Sequence, residues 1–177
     1  MGKGPSRLAA IFKKVDLSMN EFKGCPGSKM IDRTGEDTAD AGAEAGTVPS
    51  QLRQWPVQMH LISPEAPYFQ GADVLLVADC VPFAMGGFHG EYLQGRSIGI
   101  ACPKLDEGQD VYLEKVKSWI DDAKINTLSV MIMEVPCCMG LAVMAESALA
   151  AATRKIPLKR IIVGVDGAVR HEEWVNT

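Results

Sequence analysis

An open α/β fold with a parallel-rich sheet of about five strands and flanking helices is what this sequence predicts, on two observations. From Trp55 onward, apolar runs of strand length alternate with helical patterns. One of those runs, DVLLVAD at 73–79, is continuously apolar, as in a parallel strand buried on both faces.

The elements follow in order. Residues 1–20 carry a short amphipathic helix, with Leu8, Ile11, Phe12 and Val15 at helical spacing. Residues 24–54 are rich in Gly, Asp, Thr and Ala, with almost no large apolar side chain, and read as irregular linker. The chain therefore divides into residues 1–54, an N-terminal helix and linker containing GCPGS, and residues 55–177, an α/β domain that carries most of the cysteines. Within the latter, strands are expected at 57–62, 73–79, 97–102, 128–136 and 160–166. A helix is expected at 110–125, with Val111, Val116, Trp119, Ile120 and Ala123 available for packing. A second is expected at 139–155, with Leu141, Met144, Ala145, Ala148 and Ala152 along one side. Strand–helix alternation of this kind belongs to Rossmann or flavodoxin-like architectures.

Composition narrows the function classes. The chain has 177 residues, 47% apolar and 23% charged, with a formal net charge of −4. One sizeable core is the default at this length. The negative balance and the lack of a basic run argue against nucleic acid as a partner. The longest apolar runs fall far short of the roughly 20 residues of a membrane helix, and the N-terminus lacks the apolar core of a secretory signal. A cytoplasmic protein is expected, one that a homo-oligomer would also suit. In that reducing compartment the five cysteines are expected as thiols or metal ligands rather than disulfides.

Four of those cysteines share one placement. Cys80 follows DVLLVAD, Cys102 ends SIGIAC, and the adjacent pair Cys137 and Cys138 follows VMIMEVP. Each lies at the carboxyl end of an expected strand, and in an open parallel sheet those ends line one edge, where ligands bind. Separations of 22 and 35 residues are too wide for a knuckle-type zinc motif, but the fold removes that limit. Pro82, Pro103 and Pro136 stop the strands beside the thiols. Cys138 opens the second long helix, where amide groups and the helix dipole favour thiolate. Four thiolates select zinc or an iron–sulfur cluster. Adjacent cysteines would be cramped on one small ion but can reach different irons of a cube, so a 4Fe–4S cluster on Cys80, Cys102, Cys137 and Cys138 is favoured over zinc. Cys25, in the turn-like GCPGS, is a fifth candidate ligand.

The stretches SQLRQWPVQMHLISPEAPYFQGADVLLVADCVPFA, GIACPKLDEGQ and MEVPCCMGL, with GCPGS, resemble the C-terminal domain of an anaerobe family of ferredoxin-type 4Fe–4S proteins over about residues 25–167. The usual members also carry an N-terminal module with CxxCxxCxxxCP runs. This sequence has none, so the resemblance implies the accessory domain alone; a redox protein is expected as partner on the cluster reading of the cysteines. The ACP at 101–103 and PCC at 136–138 also look similar to cysteines of the flavodoxin-like subunit of respiratory complex I, a fold-level analogy.

The remaining candidates are weaker. His60 falls on the first expected strand and His89 in the Gly-rich AMGGFHGEY, and either could line the same edge. His171 lies in the C-terminal tail. Glu134 and Asp79 adjoin the thiols and are expected as capped or salt-bridged carboxylates. No GxGxxG or GxxxxGK pattern occurs, so a nucleotide site is not expected, and no GxSxG or HExxH pattern occurs either. Any enzymatic role would be that of an oxidoreductase component. Two classes remain: a cluster-bearing protein for electron transfer or cluster handling, and a zinc-stabilised or thiol-redox interaction module.

Overall fold

The computed structural model describes residues 28–35 and 48–175. The helix expected over 1–20 and Cys25 lie outside the described residues. A two-stranded antiparallel ribbon, β1 (Ile31–Asp32) with β2 (Gln54–Trp55), precedes the main sheet. That sheet is built from β3 (Asp73–Ala78), β4 (Ser97–Ala101), β5 (Thr127–Met133), β6 (Leu158–Val163) and β7 (Val169–Val175). The helices are a single turn α1 (Val81–Ala84), α2 (Gln109–Asp121) and α3 (Met139–Ala151). The spatial order is β4-β3-β5-β6-β7. The first four strands are parallel and β7 joins β6 antiparallel. Among the described residues no helix is long and apolar enough to cross a membrane.

The apolar run that predicts β3 also places it at the centre. Val74 to Ala78 have no exposed surface, because parallel neighbours flank the strand and the sheet is covered on both faces. Helix α2 buries Tyr112, Val116, Trp119 and Ile120, and α3 buries Leu141, Ala142, Ala145, Ala148 and Leu149. Trp119 comes so close to β4 that only glycine fits opposite: a Cβ on Gly99 would stand 2.7 Å from its ring and 2.8 Å from the Met59 sulfur. The far ends of the two helices are tied together. The Asp121 carboxylate accepts the Thr153 and Arg154 N–H groups at 3.0 and 2.9 Å, and Lys155 donates to the Leu149, Ala150 and Ala152 carbonyls that end α3.

Two strand expectations change. Residues 57–62 make one parallel bridge, Gln58 with Ile100, and then turn. The Gln58 carbonyl accepts the Leu61 and Ile62 N–H groups, and its side chain accepts that of His60, so the local turn outcompetes the ladder. This segment nonetheless covers the outer side of β4. Val57 and Met59 bond both backbone groups of Ile100, and the Gln54 amide bonds both of Ile98, like a short added strand. The fifth strand is instead β7, whose sequence VRHEEWV carries no apolar pattern because it is an edge strand with mostly exposed side chains. Its charges are used locally: Arg160 pairs with Glu146 at 3.0 Å and with Glu173, and Lys159 pairs with Glu172 and lies over Trp174.

The turn at 59–62 is held by one cation. Lys115 donates to the Met59, His60 and Ile62 carbonyls at 2.6, 3.1 and 2.8 Å. Replacing Lys115 by Met keeps the aliphatic stem and leaves those carbonyls without their donor. The expected cost is about 1–3 kcal/mol, read as a lower urea midpoint. An unchanged midpoint would mean that water takes over the ammonium's role.

Candidate functional site

The strand order reverses between β3 and β5: the chain leaves β3 outward to β4, then crosses back past β3 to β5. At such a point the loops beyond the carboxyl ends diverge and leave a crevice. Cys80 follows β3, Cys137 and Cys138 follow β5, and Cys102 follows β4. The fold therefore brings these four cysteines, all free thiols, to one edge.

Each thiol has its own support. Cys80 is exposed just ahead of α1 and hydrogen-bonds the Asp79 carboxylate, which, with some burial, holds its pKa above the ordinary thiol value. Cys102 is half-buried in a closed loop. The Asp106 N–H donates to the Cys102 carbonyl at 2.9 Å, while the Asp106 carboxylate accepts the Cys102 N–H at 2.9 Å and the Tyr112 hydroxyl at 2.8 Å. Burial and that carboxylate push the buried Tyr112 phenol well above its usual range. The next residue, Pro103, lies against the first turn of α3, where a Cβ on Gly140 would stand 3.3 Å from it. The Cys102 loop and the tandem pair thus share a contact.

Cys137 and Cys138 lie on a tight turn, Pro136–Cys138, that leads into α3. Pro136 has no N–H to give, and the Cys138 N–H closes the turn on the Val135 carbonyl at 3.1 Å. The adjacent side chains part: Cys137 points to solvent and Cys138 is buried, 5% exposed. Burial pushes the Cys138 thiol up to about 11, and negative charge on Cys137 adds to the rise. This corrects the expectation that the helix start makes Cys138 a ready thiolate, because removal from water outweighs the helix dipole here. Charge on Cys102 and Cys137 also raises Cys80, and charge on Cys80 raises Cys138, so the thiols lie within electrostatic range of one another. Among the described residues, however, no three His, Cys, Asp or Glu side chains form a group that could hold a metal ion.

The other candidates have structural work. His60 is exposed on the turn, its ring 4.7 Å from that of Tyr112. His89 accepts the Gln51 N–H at 3.2 Å and begins a wide helical turn, His89–Leu93, where a flexible glycine loop is expected. His171 lies on β7 rather than in a tail, 3.3 Å from Glu173. Glu134 accepts the Val165 N–H at 3.0 Å and pairs with Arg170 at 3.2 Å, which also reaches Asp166 at 2.9 Å. The backbone bond and the guanidinium keep the Glu134 carboxyl below its usual pKa. This network fixes the β6–β7 turn, and Gly167 in that turn, at φ +84°, packs where any Cβ would run into the Ala84 carbonyl of α1. The sequence reading missed Asp106, Tyr112 and Arg170; the nearest signal was a lone Asp four residues after Cys102.

Fold and site together define an α/β protein of the doubly wound class with a thiol-lined carboxyl edge. The chain belongs to a Rossmann-like domain family, whose model matches residues 66–176. It is similar to an uncharacterized protein of Archaeoglobus fulgidus, 32% identical over 121 residues that make up 67% of this chain and 83% of the relative. No solved structure matches. These findings overturn the resemblance to ferredoxin-type 4Fe–4S proteins: the matching family is Rossmann-like, the relative carries no iron–sulfur description, and the described residues hold no ready-made metal group. The stretches that carry that likeness set cysteines beside prolines at strand ends, which an α/β edge equally needs to stop a strand.

The raised Cys138 pKa has a consequence for stability. In the fold its thiol stays neutral up to about pH 11, whereas an unfolded thiol ionises near 9. The stability it contributes is complete below about 9 and is lost as pH climbs from 9 to 11. Urea denaturation across that window is expected to fall more steeply for the wild type than for Cys138→Ala. Parallel curves would show that Cys138 is solvated.

Proposed function

We infer that the chain is an iron–sulfur protein that holds its cluster on Cys80, Cys102, Cys137 and Cys138 and serves one-electron transfer or cluster carriage. The observation that carries this reading is the convergence of four thiols from three strand ends at the reversal of strand order. The donor set fits the chemistry, since sulfur alone selects iron–sulfur clusters or zinc. A cluster brings its own sulfides and spans a wider gap than one ion, so it can take thiols from separate loops. A bound 4Fe–4S cluster supplies a reversible one-electron couple, with a potential set by burial and by hydrogen bonds to sulfur.

The chain's own residues prepare that edge. Asp106 and Tyr112 fix the Cys102 loop, and the Pro103–Gly140 contact fixes it against the tandem pair. Cys138 supplies a dry inner side and Cys80 and Cys137 an outer one. The raised thiols give up protons on ligation, so loading is favoured by rising pH.

The test is metal content. After anaerobic reconstitution, iron, zinc and sulfide per chain are measured for the wild type and for Cys→Ser at positions 25, 80, 102, 137 and 138. Iron with matching sulfide is expected in the wild type, with lowered iron in the variants at 80, 102, 137 and 138. Zinc without sulfide would support the zinc-stabilised reading instead. Full iron retention in both the Cys137 and Cys138 variants would remove the tandem pair from the site.

A further inference from the structure

The loops that carry the thiols also carry exposed apolar side chains. Phe83, three residues after Cys80, is 93% exposed; Leu105, three after Cys102, is 78% exposed; Met139, next to Cys138, is 40% exposed; and Val165, on the β6–β7 turn, is 67% exposed. All four lie beyond the carboxyl ends of β3, β4, β5 and β6, on the same edge of the sheet as the thiols. Exposed single apolar residues are ordinary, but a group around a site marks an interaction surface.

These side chains are presented on built loops. The Asp106 carboxylate and N–H close the loop that displays Leu105. Glu134 accepts the N–H of Val165 itself, and Arg170 and Asp166 brace the same turn. Phe83 is on α1, whose end packs on Gly167. Ordering is therefore already present before a partner arrives, which lowers the cost of association.

The charge of the same edge selects the partner. Its loops carry Asp79, Asp106, Glu107, Glu134 and Asp166 against Lys104, with Arg170 reaching in from β7. A second copy of this chain would present the same acidic edge and be repelled. The shallow hollow lined by Pro103, Tyr112, Gly140 and Met144 among others has no room even for a water molecule, whereas small-molecule pockets hold roughly 300–1,000 Å³.

We propose that the carboxyl edge, with Phe83, Leu105 and Val165 at its apolar centre and the acidic loops as its rim, is the docking surface for a basic one-electron carrier protein. The choice of an electron carrier rests on the cluster reading. A cluster bound at this edge would supply a one-electron couple, so that one protein is oxidised as the other is reduced, with no bond made or broken. Acidic loops steer the basic partner, and the apolar contacts exclude water between the two centres.

Zinc-substituted cytochrome c tests the surface: it is basic, fluorescent and unable to accept the electron. The reconstituted full chain is titrated into it, and Kd is read from the fluorescence. Binding is expected to weaken about tenfold or more between low salt and about 150 mM. The double variant Phe83→Ser, Leu105→Ser is expected to weaken it about tenfold or more at fixed salt, with iron per chain unchanged. Glu114→Gln, on the exposed side of α2, is expected to leave Kd unaltered. Wild-type affinity in the double variant, or equal weakening by Glu114→Gln, would overturn the docking surface. Salt- and variant-sensitive binding by a wild type that holds no iron would support the surface for a basic protein and overturn the cluster reading, and with it the partner's role as electron carrier.

Discussion

Parallel pairing of β3 on both sides is the constraint from which the rest of the molecule follows. Val74 to Val77 match Ser97 to Ile100 of β4 and Leu128 to Met131 of β5 in unbroken register. With both neighbours parallel, the three carboxyl ends must lie along one edge, and the chain has to leave β3 in one direction and return in the other. The loops after β3 and β5 therefore diverge at the centre of the sheet. Every thiol of the candidate site is placed by that geometry rather than by local sequence spacing.

Once the edge exists, carboxylates organise it. Asp106 closes the Cys102 loop, Asp79 bonds the Cys80 thiol, and Glu134 holds the β6–β7 turn with Arg170. The result is an edge with negative charge close to sulfur, which keeps Cys80 protonated to higher pH than an isolated thiol. Burial does the same for Cys138 by a different route. Thiols kept in this state resist casual oxidation and still release protons when a ligand offers a stronger interaction.

The sequence was legible where a residue's role depended on its own segment. Continuous apolar runs marked β3 to β6, helical periodicity marked α2 and α3, and cysteines next to proline marked the strand ends. It was illegible where a role depended on a partner far along the chain. The segment 57–62 has strand composition, yet the Gln58 turn and Lys115 hold it as a capped edge. The charged sequence of β7 looks like a tail until its side chains meet Arg160 and Lys159. The ferredoxin-type resemblance failed against the Rossmann-like family match, and its cysteine–proline motifs at strand ends record how a strand stops as readily as what a loop binds.

By itself the sequence determined the α/β class, the location of the thiols at strand ends and the acidic balance of the chain, because these follow from periodicity, from proline chemistry and from counting charges. Tertiary structure alone decided that Cys137 faces solvent while its neighbour Cys138 is buried, that Asp106 and Tyr112 brace Cys102, and that Phe83, Leu105 and Val165 share one edge. Those outcomes depend on which loops the strand order sets side by side and on how far each group is withdrawn from water. Neither quantity is a property of any residue until the sheet has formed.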